Sequence, residues 1–303
     1  MMQLLKGLNG IMKLKPIRIL NKDNLVMKGI VFEPDKEIEQ PICIIYLPGI
    51  VLGSTAVHRL GVEIGHLLVE KGFWYLLFDQ VYIGGSEETY PEGVHQKLAN
   101  WIKEGNLVDD TLKAIDFFID KTDKQAVTLI GHCGGALTAA YAGSQHKQVK
   151  GLFLISPPIV EVNSKNEIEK KEVAENYFTL YKRKILSPVA WKNLLFGKTD
   201  YKTLMHVIKG KFLKYNIVRE NISDNINMLF LDSLTNMLKT KNIQIIFGDR
   251  DPELNDFLKF RKAYFQSMFP FSILKNTSHG FITKESINEL NKNIINFMET
   301  VKC

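Results

Sequence analysis

Residues Val127 to Gly143 read VTLIGHCGGALTAAYAG. A short apolar run leads into a tight turn, Gly131-His132-Cys133-Gly134-Gly135, and a stretch of small residues suited to a helix follows. A sharp strand-to-helix turn forces its central residue into strained backbone angles, so its neighbours must lack bulk. Small residues stand two before and two after Cys133. Such a turn presents the central side chain at the carboxyl end of a sheet. It also places the next helix N-terminus beneath it, whose free N–H groups and positive dipole end favour a thiolate and an oxyanion. The competing reading is a buried, inert cysteine in a Gly-rich packing joint. The pentapeptide alone does not decide between them; its place after an apolar strand and before "ALTAAYAG" favours the nucleophile.

Outward from this turn the chain alternates. "PICIIYL" (41–47), "WYLLFD" (74–79), "AVTLI" (126–130), "GLFLI" (151–155) and "IQIIF" (243–247) are short continuous apolar runs. Runs of this kind suit strands buried on both faces, as in a parallel sheet. Between them lie helical stripes: Leu60, Ile64, Leu67 and Leu68; Val108, Leu112, Ile115 and Ile119; and Ile287, Leu290, Ile294, Phe297 and Val301. The pattern predicts an α/β fold with a mostly parallel, doubly wound sheet. "PIRIL" and "LVMKGIVFEP" predict an antiparallel pair at its start, and the first fifteen residues a frayed or packed end. The alternation fails from Pro157 to about Lys241, a charged, aromatic stretch. It predicts a helical cap over 157–239, inserted in a core made of 1–156 and 240–303.

Composition narrows the class. The 303 residues are 45% hydrophobic and 24% charged, ordinary for a globular protein. No apolar run approaches the ~18 residues of a membrane span, and no signal peptide is apparent. The three cysteines, Cys43, Cys133 and Cys303, have no metal spacing and no disulfide framework. A reducing, cytoplasmic setting is therefore expected. The formal charge of +6 is spread along the chain without a nucleic-acid-binding motif. It reads as a lysine-rich surface, or more sharply as a face for an acidic partner such as an acyl carrier protein or a CoA phosphate.

A cysteine nucleophile needs a base, and the base an orienting acid, each in a loop after a later strand and in the order nucleophile, acid, base. "IQIIFGDRDPE" is a strand followed by a loop with Asp249 and Asp251. Asp251 is favoured, because it lies further past the strand and Pro252 stiffens the turn; Asp249 is the fallback. "FSILKNTSHGFIT" is a strand followed by His279, just before the last helix. His132 adjoins Cys133, but its side chain should point elsewhere. His58, His66, His95, His146 and His206 have no such context, and no pair has metal-ligand spacing. Neither metal nor cofactor is implied. An oxyanion hole needs two backbone N–H donors. One falls to Gly134. The other comes from the loop after "CIIYL": Ile50 is chosen because Pro48 has no N–H, with Gly49 and Val51 as alternatives.

These pieces together resemble an α/β-hydrolase of the capped kind over nearly the whole chain: "LPG", "FDQVYIGGSE", "GHCGG", "GDRDP" and "TSHGF". In many relatives the second piece reads Asp-x-x-Gly-x-Gly-x-Ser. Tyr82 stands at the first Gly position, while Gly84 and Ser86 match the others. That loop is structural in the family, so Asp79 is not the expected acid. More narrowly, "RLGVEIGHLLVEKGFWYLLFDQVYIGGSE" and "YFTLYKRKILSPVAWKNLLFGKTDY" resemble the exosortase A system-associated hydrolases, bacterial enzymes with a cysteine in this turn. The resemblance implies a Cys133–His279–Asp251 triad and a thioester acyl-enzyme, without a defined substrate. The first expectation is hydrolysis of a small-molecule acyl ester or thioester. The alternatives are an acyltransferase fed by a CoA or carrier-protein thioester, and a non-catalytic ligand-binding relative.

Overall fold

The computed structural model describes residues 4–7, 10–49, 56–86, 98–159, 226–265 and 270–301. In chain order its elements are β1 (Leu4–Gly7), β2 (Gly10–Leu20), β3 (Val26–Glu33), β4 (Ile42–Leu47), α1 (Ala56–Glu70), β5 (Tyr75–Phe78), α2 (Leu98–Lys103), α3 (Val108–Thr122), β6 (Ala126–His132), α4 (Gly134–Gln145) and β7 (Val149–Ile155). After the insertion come α5 (Met228–Met237), β8 (Asn242–Gly248), α6 (Leu254–Phe260) with a π-turn over Arg261–Phe265, β9 (Phe271–Leu274) and α7 (Lys284–Thr300).

Among the described residues, nine strands form one sheet in the order β1-β2-β3-β5-β4-β6-β7-β8-β9. The first three run antiparallel to their neighbours, and from β5 to β9 every pairing is parallel. The parallel strands are the apolar runs of the sequence. Every residue of β4, β5 and β6 is buried, as a sheet covered on both faces requires. β1 is a strand paired antiparallel with β2 rather than a frayed end. Its single Lys and terminal Gly hide it from pattern reading, and the eleven-residue β2 supplies its hydrogen-bond partner.

On one face α1 and α7 pack side by side; on the other α2, α3 and α5 surround α4. The first face buries Tyr46, Ile64, Tyr75, Phe153, Ile246, Ile294 and Phe297 in one cluster. On the other, the Phe247 and Phe257 rings lie 4.7 Å apart and join β8 to α6.

Residues 228–237, which the sequence reading includes in the cap, form α5 against α4 as the crossover helix between β7 and β8. The core unit resumes at Ile226. Asn227 sets its start: the main-chain N–H donates to Ile159 O at 3.0 Å, and the side chain caps α5 by accepting from Phe230 N at 2.9 Å. The rest of the expected cap lies outside the described residues.

Candidate active site

The turn after β6 has the geometry its small residues demand. Cys133 sits at φ 54° and ψ −122°, in the left-handed half of backbone space. A Cβ on Gly131 would fall 2.4 Å from Gly135 O, and one on Gly135 would fall 2.2 Å from Leu47 O. No side chain fits at either place. Cys133 N donates to Ile155 O at 2.8 Å, tying the turn to the end of β7. The Cys133 side chain is partly exposed, whereas Cys43 is sealed in the core, where burial pushes its thiol up to about 12.

The three side chains singled out by the sequence come together. His279 Nδ1 lies 3.1 Å from both carboxylate oxygens of Asp251. The Cys133 side chain is near enough to His279 to act on its charge. With Nδ1 turned to the carboxylate, Nε2 is the ring nitrogen left for sulfur. The Asp251 side chain is fully buried, while that of His279 remains 30% exposed. Asp251 Oδ1 accepts from Glu253 N at 3.0 Å, and Oδ2 accepts from the Ser156 hydroxyl.

Charge follows from this packing. Burial works against the His279 imidazolium, but a thiolate at Cys133 and the Asp251 carboxylate outweigh it, so its pKa is raised well above 6.5. Burial likewise opposes charge on Asp251, and the His279, Ser156 and Glu253 donors overcome it, holding the carboxyl below its usual range. Glu253, two residues on, is raised because burial dominates there.

Asp249, the alternative acid, is exposed and turned elsewhere; its Oδ1 accepts from Thr277 N at 3.0 Å. That bond fixes the turn before His279. His132 is buried beside His279, its ring centroid 5.4 Å from that of His279, and its Nε2 donates to the His279 main-chain carbonyl at 2.9 Å. Burial and the neighbouring His279 lower its pKa to about 4, so it is neutral at physiological pH.

Of the expected oxyanion donors, Gly134 opens α4 directly after Cys133. Ile50 and Val51 lie outside the described residues. Gly49 is described, and a Cβ there would stand 3.2 Å from Cys133 Cβ and 4.0 Å from its sulfur. The β4 loop thus passes directly over the Cys133 side chain. Sequence reasoning missed Ser156. The signal available was its place at the end of β7, the strand next to the one that carries the acid. Among the described residues, no group of three or more His, Cys, Asp or Glu side chains is arranged to hold a metal, and no helix is long and apolar enough to cross a membrane.

A mostly parallel sheet with Cys133 in the tight turn after β6, Asp251 after β8 and His279 after β9 defines a class, and the chain belongs to it: the α/β hydrolase fold family matches residues 43–205, more than half of the protein. Among solved structures it is similar to an esterase of Pyrococcus furiosus, at 17% identity and TM-score 0.60 over 96% of this chain and 92% of that one. It is similar to an alpha-beta serine hydrolase homologue from Coxiella burnetii, at 15% identity and TM-score 0.54, covering 93% and 96%. A third is a Xanthomonas campestris α/β serine hydrolase without lid, at 13% identity and TM-score 0.55, covering 94% of each chain. A comparison with curated proteins returns no match. At these identities the likeness carries the fold.

Proposed function

We propose that the protein is an acyl hydrolase with Cys133 as nucleophile, His279 as base and Asp251 as the acid that orients it, acting on small-molecule esters or thioesters. The observation that carries this reading is the placement of the partly exposed Cys133, at φ 54°, against an imidazole whose other nitrogen lies 3.1 Å from a buried carboxylate. In the reaction, His279 Nε2 takes the Cys133 proton and sulfur bonds to the substrate carbonyl carbon. The carbonyl π electrons move onto oxygen, which takes the N–H of Gly134 as a donor. Collapse breaks the bond to the leaving alcohol or thiol, which takes the proton from His279. Water then attacks the thioester with His279 as base. The acid leaves and the thiol is restored.

Mixing the protein with p-nitrophenyl butyrate and with an acyl thioester tests the reading. Intact mass should show one acyl group on Cys133, together with release of free acid, and Cys133→Ala should show neither. An acyl group transferred to added amine or alcohol in preference to water would replace hydrolysis by acyl transfer. Equal turnover by Cys133→Ala would remove the cysteine from the chemistry.

A further inference from the structure

We propose that Ser156 is a positioning residue for Asp251, so that the end of β7 sets the spacing between nucleophile and acid; this rests on the reading of Cys133, His279 and Asp251 given above. Two adjacent residues reach both groups. The Ile155 carbonyl accepts the Cys133 N–H at 2.8 Å, and the Ser156 hydroxyl donates to Asp251 Oδ2. Ser156 itself is fully buried, with its N–H on Ile246 O at 2.9 Å. The β7 terminus is therefore pinned to β8 while it touches the turn on one side and the acid on the other.

The backbone at Ser156 is a second observation, independent of that bond. Its φ is +50°, a left-handed conformation that favours glycine. Packing alone would be met by glycine at lower cost. What serine adds is a hydroxyl, aimed at the one carboxylate that faces His279. The Asp251 side chain has no exposure to water, so its charge depends on its donors. Glu253 N–H holds Oδ1 and His279 Nδ1–H spans both oxygens; Ser156 holds Oδ2. Without it the carboxylate can turn about its terminal bond and carry His279 out of line with Cys133. The charged and titratable groups around Asp251 are His279 in front, Glu253 beyond it, Lys103 acting on Glu253, and neutral His132 behind His279.

Ser156→Gly and Ser156→Ala test the role. Glycine suits the left-handed backbone and removes only the hydroxyl. Ser156→Gly should stay folded, melting a few degrees below the parent because the relaxed backbone offsets only part of the lost bond, yet lose about 10- to 100-fold in kcat on p-nitrophenyl butyrate, the size of one hydrogen bond to a buried charge. KM should stay within about twofold, since the bond is remote from substrate binding. The acid limb of kcat/KM should move up by about one pH unit, because a less stabilised Asp251 takes its proton earlier. Ser156→Ala should show the same kinetic change. Parent-like kcat and pH profile in a folded Ser156→Gly would overturn the positioning role. Full activity in Cys133→Ala would overturn the reading beneath it, which separates the two failures.

Discussion

Cys133 holds φ 54° and ψ −122° in a turn whose flanking Gly131 and Gly135 have no room for a side chain. Positive φ in a residue with a Cβ costs about 1–3 kcal/mol, and such strain persists where the surroundings over-determine it. Behind it, Asp251 and His279 titrate in opposite directions. Asp251, depressed below 3.8, adds stability that is present above that value and lost as pH falls through its lower folded pKa. His279, raised above 6.5, adds stability that is complete below that value and lost as pH rises through its higher folded pKa. The gap in urea stability between the parent and Asp251→Asn should therefore be widest between about pH 4 and 6.5 and narrow on either side. Asp251→Asn should also lower kcat by about two to four orders of magnitude. Asp249→Asn should keep most of the activity, because an asparagine oxygen still accepts the Thr277 N–H. Equal losses from the two would mean that the acid has been assigned to the wrong side chain. That Asp251, His279 and Cys133 meet at one end of the sheet was legible because each follows an apolar strand at a length that puts it past the sheet edge. Ser156 was not legible. A serine after a strand is ordinary, and its partner lies 95 residues away, brought near only by the pairing of β7 with β8.

Elements here depend on small residues at their joints. Gly135, the second residue of α4, lies against the carbonyls of Leu47 and Pro48, so Gly135→Ala should destabilise by about 3 kcal/mol, the upper end of overpacking, and disturb both loops at Cys133. α7 starts with a reciprocal cap: Ser286 N donates to Thr283 Oγ1, and Thr283 N donates to Ser286 Oγ, both at 3.1 Å. Thr283→Ala should cost about 1 kcal/mol by denaturant midpoint while kcat stays unchanged. The helices on the sheet faces were readable as apolar stripes. The loop after β5 was readable only in part. Tyr82 takes φ +71° at the position where the resemblance leads one to expect glycine, and its ring packs edge-on against Trp101 at 5.8 Å. A bulky residue in that conformation leaves no mark in hydropathy, because the compensation is a contact with a helix that begins many residues later.

In the core unit the sheet packs against helices on both faces. Phe153 is fully buried in β7, with its ring 5.4 Å from that of Phe297 on α7. Phe153→Ala should cost about 3–5 kcal/mol, with near- and far-UV signals lost together in urea. A separate early loss of helix signal would mean that α7 folds apart from the sheet. The order of strands was only partly legible. Continuous apolar runs announce parallel strands, but β4 lies between β5 and β6, and no local pattern states that exchange. Chain reversal at β1 was hidden for the same reason.

The two margins of that sheet differ in what they carry. The β9 margin leads straight into the loop of His279, whereas the opposite margin is a hairpin, β1 with β2, joined to the parallel strands only through β3. Coupling the hairpin to a bead or an electrode should leave turnover intact, whereas a linker on Ile273, exposed on β9, should hinder it.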